Sequence, residues 1–304
     1  MTKAHYLIMT FSAYTPNHQA IEELKQVMKK NSAQKVRSFF QFPLTWMVAG
    51  TIGILLVDTL FRLLAGDVKG LPSLLLTLTA SIGGILVYWL TMKYLAHRSL
   101  SELPRRRAGA EAGKGLLTGT LFILVSTGMI VILGGYSFQW APTADPNRIL
   151  LSTIESALGA AIVEELIFRG LMFQAIRQWL GNWPALAVTS LFFGVAHLGN
   201  PGATLWSALA ITIEAGVLLG AAFLWRRNLW FAMGLHFAWN ALEGMLGIPV
   251  SGHPATGLFT VTVSGAPLLT GGDFGLEGSI VPVMVSLLIA IPMLIAASRN
   301  RATD

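Results

Sequence analysis

The chain contains 304 residues, of which 54% are hydrophobic and only 12% are charged. Soluble domains contain roughly 45–50% apolar and roughly 25% charged residues, so this composition excludes an ordinary soluble protein and indicates a polytopic membrane protein. Cysteine is absent, which excludes disulfides, thiolate catalysis and a cysteine-ligated zinc site.

The first 43 residues predict a cytoplasmic or interfacial segment, and residues 44–304 predict one integral membrane domain. No short apolar core with a small-residue cleavage site follows the start, so we expect no cleavable signal peptide. Between His18 and Phe42, apolar residues recur at loosely helical spacing among several lysines. This pattern is typical of an amphipathic helix lying on the membrane surface, and a solvated tail is the alternative.

Eight apolar runs follow, and they are judged against the roughly 17–25 residues that a helix needs to cross a bilayer. They are Leu44–Leu64, Pro72–Leu95, Gly115–Leu133, Ile149–Phe173, Pro184–Leu198, Thr204–Trp225, Leu229–Leu246 and Ser279–Ala297. The fifth run is short, which predicts a helix buried inside the protein or a locally thin bilayer. The expected fold is therefore all-α, a membrane bundle of about eight transmembrane helices.

Lysine and arginine are retained on the cytoplasmic side of a membrane, so they predict the orientation of the chain. With eight spans and both termini in the cytoplasm, the basic clusters all fall on one side. They also account for the net charge of +6 without nucleic-acid binding, since they lie between apolar runs. The clusters are Lys25, Lys29, Lys30, Lys35 and Arg37; Arg98, Arg105, Arg106, Arg107 and Lys114; Arg177; Arg226 and Arg227; and Arg299 and Arg301.

The predicted outer loop from Gly247 to Gly278 is rich in glycine and proline. Within it, residues 258–263 alternate and include β-branched side chains, a pattern that favours a strand. We expect a short hairpin or a lid over the outer mouth of the bundle, and a plain connector is the alternative.

Two adjacent acids interrupt the fourth apolar run. One acid in hydrocarbon costs roughly 2.5–3.5 kcal/mol on insertion scales, so Glu164 and Glu165 need partners, water or a function. On a helix, Glu165 faces Arg169 four residues later. Glu164 points about 100° away and has no local partner, which makes it the candidate catalytic carboxylate.

Further polar residues lie in other apolar runs. His197 ends the fifth, and His236, Asn240 and Glu243 share one face of the seventh because of their i, i+4, i+7 spacing. A single membrane histidine is more often a packing residue than a catalyst. However, Glu164 lies on another span, and a packing explanation would need a separate reason for each of these polar residues. A shared functional site explains all of them together.

The types of these residues narrow the chemistry. The sequence has no Gly-x-Ser-x-Gly elbow and no His-Glu-x-x-His signature, so carboxylate and imidazole remain, which suits activation of a water molecule. Glu164 can act as general base, and the Asn240 amide can stabilise a developing oxyanion. Alternatively, Glu164, His197 and His236 could bind a divalent metal such as zinc, with an open position for water. The residues alone leave both possibilities open.

Three motifs occur in order, each on its own apolar helix: Glu164-Glu165-x-x-x-Arg169, Phe193-x-x-x-His197 and His236-x-x-x-Asn240. This ordered set resembles the CPBP (Abi) family of intramembrane proteases, which includes the type II CAAX prenyl endopeptidases. The resemblance covers at least residues 149–246.

The resemblance implies roles for the motif residues. Glu164 and His197 would activate the water, His236 with Asn240 would stabilise the oxyanion, and Glu165, Arg169 and Phe193 would support the site. It implies a glutamate-type or metallo-type endopeptidase acting on a membrane-associated or prenylated protein. We expect no metal but leave zinc open. The compact length resembles prokaryotic members and predicts a multi-pass protein of a prokaryotic cell membrane.

Other function classes remain as alternatives. A secondary transporter would show inverted repeats and paired broken helices, and the sequence shows neither. A non-catalytic scaffold or bacteriocin-immunity factor of the same architecture is the competing hypothesis. Against it, every position proposed as catalytic holds a residue that can perform the proposed chemistry.

Three further intramembrane acids lie outside the three motifs. Asp58 can meet Arg62 at i+4, Glu214 has no local cation, and a core hydrogen bond is the expected role of Glu243.

One depth estimate disagrees with the predicted convergence. At 1.5 Å per residue, Glu164 lies about 22 Å below the outer start of the fourth span and His197 about 20 Å above the inner start of the fifth. These depths differ by one or two helical turns, so we expect the fourth span to start earlier or to tilt, or the fifth span to lie deeper toward the cytoplasm.

Overall fold

A computed structural model describes residues 22, 23, 25–30, 38, 41–142 and 145–299. It confirms the predicted all-α bundle and adds one small sheet. In chain order the elements are α1 Pro43–Ala65, α2 Leu71–Leu90, α3 Ala108–Ile132, β1 Tyr136–Trp140, α4 Pro146–Glu165, α5 Phe173–Leu180, α6 Asn182–Ala196, α7 Leu205–Ile211, α8 Leu218–Arg226, α9 Leu229–Leu246, β2 Phe259–Val263, α10 Pro267–Thr270 and α11 Ile280–Arg299.

Two of the helices are joined to their successors through short π-helical segments. Leu166–Met172 links α4 to α5, and Thr212–Val217 links α7 to α8. Such wider turns are rare and frequently occur at functional sites. Arg169 lies in the first segment and Glu214 in the second, so both segments carry an ionisable residue within an apolar run.

Five helices in the described part of the chain are long and apolar enough to cross a membrane. They are Pro43–Ala65, Leu71–Leu95, Arg105–Ile132, Leu205–Arg226 and Ile280–Arg299. The predicted fourth, fifth and seventh runs are helical but do not reach this standard; α6, for example, has only 15 residues. The count of eight spans is therefore not established, and the orientation with both termini in the cytoplasm stays a prediction.

The predicted N-terminal amphipathic helix lies mostly outside the described residues. Of the stretch between positions 18 and 42, residues 22, 23, 25–30, 38 and 41 are helical.

The long helix that begins at α4 removes the disagreement in depth. α4 starts at Pro146, where the Asp145 side chain accepts hydrogen bonds from the first-turn amides, and α5 continues to Leu180. The chain then reverses at Gly181, whose φ of 78° favours glycine. Glu164 and His197 are nearly equidistant in sequence from this turn, roughly 24–26 Å away on its two sides. The predicted boundaries at Ile149 and Phe173 were therefore too narrow.

Strand β2 forms where the alternating pattern predicted it, but its partner comes from outside the loop. β1 and β2 pair antiparallel, with Tyr136 opposite Val263 and Trp140 opposite Phe259. The strand of the loop therefore pairs with the chain after α3 and not with another strand of the loop.

Glycines bring the backbones of α3 and α9 into direct contact. A Cβ atom at Gly115 or Gly119 of α3 would overlap the carbonyl oxygen of Phe231 or Leu235, and one at Gly234 would overlap the carbonyl of Ala112. Small residues permit such close approach of helices in a membrane. This contact fixes α9, and with it the position of His236.

Candidate active site

Arg169 joins three parts of the bundle. Its Nη1 donates to Glu165 Oε1 at 2.8 Å, which confirms the predicted pair. Its Nη2 donates to the carbonyl oxygens of Ala215 at 2.9 Å and Gly216 at 3.1 Å, in the π-helical segment before α8. Both charged side chains are almost completely buried, and a buried charge is tolerated when it is paired and hydrogen-bonded.

His236 lies between the two adjacent carboxylates. Its Nδ1 is 3.0 Å from Glu165 Oε1, and its Nε2 is 3.9 Å from Glu164 Oε2. Because an ionised carboxylate only accepts hydrogen bonds, Nδ1 carries the proton and donates to Glu165, while Nε2 faces Glu164. The bond between Glu165 and His236 was not predicted from the sequence.

Phe193 supports both histidines. Its ring centroid lies 4.9 Å from that of His197 and 6.2 Å from that of His236, and the Arg169 guanidinium carbon lies 4.7 Å from the ring. The His197 Nδ1 donates to the Phe193 carbonyl oxygen at 2.7 Å. Since a carbonyl only accepts, this bond leaves Nε2 of His197 as the basic nitrogen.

The four predicted catalytic side chains line one small cavity, with a volume of about 20 Å³. A cavity of at least roughly 10–15 Å³ can hold one water molecule if polar groups surround it. The structure thus brings together residues from the ends of α4 and α6 and from the middle of α9. The lining residues are Glu164, Phe193, His197, Ile211, Ala215, His236, Trp239, Asn240, Ser251 and Glu277.

This small cavity adjoins a larger groove of about 570 Å³. Glu164, His197 and Asn240 line both spaces. The side chain of Glu164 keeps 29% of its surface exposed, so a molecule in the groove can contact this carboxylate.

Glu277 is a cavity residue that the sequence analysis missed. It follows the glycine-rich part of the loop from Gly247 to Gly278 and is buried, with no described hydrogen-bond partner for its Oε2. Burial raises the pKa of Glu277, and hydrogen bonds from Ser251 oppose this rise. The sequence offered one sign of a functional role for Glu277, namely its position as an acidic residue between a glycine-rich loop and an apolar helix.

Two further acids lie buried near this region. Glu243 Oε1 accepts a hydrogen bond from Trp239 Nε1 at 3.2 Å, in keeping with its expected core role. Both carboxylate oxygens of Glu214 lack a hydrogen-bond partner among the described residues. Neither acid lines the small cavity.

The metal alternative can be tested on the placement of the side chains. Within residues 41–142 and 145–299 and the few described before them, no three His, Asp or Glu side chains are grouped to hold a metal ion. We therefore derive no step through a metal.

Residues 146–242 match the family model described as type II CAAX prenyl endopeptidase Rce1-like. The match begins at the first residue of α4, ends within α9 and contains all three motifs. The match covers less than half of the chain, and over those residues the chain is similar to this family. The match and the five apolar helices support an integral membrane protein, and the match supports proteolysis of the CAAX type as its general activity. Neither the curated proteins nor the solved structures gave a match.

Proposed function

We propose that this protein is an endopeptidase that hydrolyses a peptide bond of a membrane-associated or prenylated substrate, using a water molecule held between Glu164 and His197. The observation that carries the proposal is the meeting of Glu164, His197, His236 and Asn240 at a cavity large enough for one water, beside an open groove.

Glu164 is the proposed general base. It takes a proton from the water, whose oxygen then attacks the carbonyl carbon of the scissile bond. His197 positions the same water through Nε2, since its Nδ1 donates to Phe193. Glu164 then passes the proton to the leaving amine, which completes hydrolysis with no proton gained or lost.

His236 and Asn240 are the proposed oxyanion donors. As an imidazolium, His236 donates from Nδ1 to Glu165 and from Nε2 to the developing negative charge, and Asn240 donates from its amide. Removal of one such donor typically costs about 2.7–4 kcal/mol of transition-state stabilisation. Glu165, Arg169 and Phe193 position the ring of His236 and do not contact the substrate.

Substitution of Glu164 tests the function. Glu164→Gln should lower kcat by about 10²–10⁴-fold on a fluorogenic prenylated peptide, with an unchanged melting temperature in detergent. Glu155→Gln is the matched control, because Glu155 lies on the same helix, accepts a hydrogen bond from Ser73 and does not line the small cavity. Unchanged cleavage by the Glu164 variant would end the protease proposal, and an unchanged cellular phenotype would favour a scaffold.

The proposed reaction needs no metal. We expect incubation with a strong zinc chelator, followed by its removal, to leave the cleavage rate within about twofold of the untreated enzyme. Loss of activity that added zinc restores would contradict the metal-free mechanism and leave the peptidase function intact.

A further inference from the structure

The small cavity contains a second carboxyl group, Glu277, whose surroundings differ from those of Glu164. The Glu164 side chain keeps 29% of its surface exposed, whereas Glu277 is only 4% exposed. Both residues line the cavity, together with His197 and His236. Two carboxyl groups in such unequal environments favour different protonation states, and this difference is typical of an acid and a base that act together in one active site.

The loop before α11 holds Glu277 in a fixed position at the cavity. Glu277 lies in a short 3-10 turn, and the carbonyl oxygen of the next residue, Gly278, accepts a hydrogen bond from Trp206 Nε1 at 2.8 Å. The turn packs closely against the rest of the loop, since a Cβ atom at Gly275 would overlap the Pro249 carbonyl oxygen. The backbone therefore supports the side chain as firmly as a group that takes part in chemistry requires.

The charges around Glu277 favour its neutral form. The two acids of α4 are already balanced by Arg169 and by the imidazolium proposed for His236. Among the described residues, no lysine or arginine lines the cavity. Two further buried acids, Glu214 and Glu243, interact electrostatically with Glu277. An ionised Glu277 would thus be a buried charge without a cation of its own, and such a group takes up a proton instead.

A neutral carboxyl group can donate its O–H to a molecule in the cavity. Hydrogen bonds from Ser251 hold the Glu277 carboxyl group, while its Oε2 is buried and has no hydrogen-bond partner among the described residues. Peptide hydrolysis needs a proton donor of this kind, because the nitrogen of an amide leaves only when it receives a proton.

We propose that Glu277 is the general acid of the reaction and donates the proton of its carboxyl group to the nitrogen of the scissile bond. This inference rests on the proposed peptidase function and refines the path of the proton within it. Glu277 acts directly on the leaving group, so it is a further catalytic residue.

The proton that leaves the water reaches the amine by way of Glu277. Glu164 takes this proton while the water oxygen bonds to the carbonyl carbon. When the C–N bond breaks, its electron pair stays on the nitrogen, and the nitrogen takes the proton of Glu277. The carboxylate left on Glu277 regains a proton from Glu164 through the water that enters for the next turnover. Both acids thus return to their initial states, with no net gain or loss of protons.

Replacement of the scissile amide by an ester separates this role from a structural one, because an alkoxide needs a general acid far less than an amide nitrogen does. The probes are a fluorogenic farnesylated peptide and its ester counterpart, cleaved in single turnovers by the full chain in nanodiscs. Glu277→Gln should lower the amide rate about 10²-fold and the ester rate by less than about threefold.

Glu243→Gln is the matched control. Glu243 is also a buried acid that interacts with Glu277, but it does not line the cavity. Both rates of this variant should stay within about threefold of the wild type, since only a group at the cavity can reach the leaving nitrogen.

A pH series on the wild type tests the same role without a substitution. Burial raises the pKa of Glu277, and the ratio of amide rate to ester rate should fall as the pH rises through this pKa, because only amide cleavage needs the proton of Glu277. Ionisation of His236 and His197 affects both probes and cancels in the ratio. In Glu277→Gln the ratio should not change with pH.

The outcomes separate this inference from the peptidase proposal. Equal losses on amide and ester in Glu277→Gln, or a wild-type ratio that is independent of pH, would overturn the general-acid role while Glu164-dependent cleavage continues. If Glu277→Gln does not fold, the wild-type ratio decides alone. Cleavage of neither probe in a Glu164-dependent way would overturn the peptidase function and this inference with it.

Discussion

Two helices of almost equal hydropathy lie in opposite surroundings. α1 and the helix Leu205–Arg226 have mean hydropathies of 1.8 and 1.9 over their most apolar 18 residues. Of these residues, 11% are buried in α1 and 78% are buried in the second helix. Hydropathy therefore indicates which segments can enter a membrane, but it does not show which of them contact lipid and which form the centre of the protein.

The size of the side chains accounts for the difference. α1 presents Leu56 and Leu63 outward, both exposed at the protein surface. The helix Leu205–Arg226 has small residues at its contacts instead. A Cβ atom at Gly216, for example, would lie 2.7 Å from the Ser190 Cα. Lipid is as apolar as leucine, so small residues that permit close packing, and not hydrophobicity, determine which helices associate.

Breaking the ion pair of each region should give the largest contrast. Arg169→Met leaves Glu165 buried without its cation, and loss of one partner of a buried pair costs about 3–5 kcal/mol. Arg62→Met breaks the exposed pair of α1, for which about 0–1 kcal/mol is expected. Denaturant unfolding in detergent measures both. Equal losses of unfolding free energy in the two variants would show that burial does not determine how much each ion pair contributes to stability.

A methyl group at a helix contact should have a smaller effect. A Cβ atom at Gly194 of α6 would overlap the Ala208 carbonyl oxygen, a backbone atom that cannot rotate away. We expect Gly194→Ala to destabilise by about 1–3 kcal/mol. In the control Gly128→Ala on α3, nothing lies within 4 Å of the new atom, and a stabilisation of up to about 1 kcal/mol is expected. Thermal unfolding of both variants distinguishes the sites.

Truncation on the lipid-facing side should have the smallest effect. Leu56→Ala and Leu63→Ala on α1 remove side chains that contact no protein core, and we expect changes within about 0.5 kcal/mol. The buried counterpart Leu218→Ala should cost about 2–5 kcal/mol. A loss of that size at Leu56 would indicate that another protein surface covers α1.

Local spacing predicted the part of the site that lies on single helices. The contact between Glu165 and Arg169 follows from i+4 geometry, and the shared face of His236 and Asn240 follows in the same way. The helices themselves were predicted because apolar runs of sufficient length have few other structures available in a membrane.

Contacts between distant segments were not predictable in this way. The bond from His236 to Glu165 depends on how α9 packs against α4, and the placement of Glu277 depends on the path of an irregular loop. The partner of β2 was missed for the same reason, since β1 is far away in the chain. The π-helical segments have no periodic signal in the sequence, so the exact length of α4 and α5 could not be read either.

The glycine contacts between α3 and α9 have a mechanical consequence. Because their backbones touch at Gly115, Gly119 and Gly234, neither helix can rotate or slide past the other without a collision of main-chain atoms. Any rearrangement during turnover that displaces His236 must therefore carry α3 along as a rigid unit.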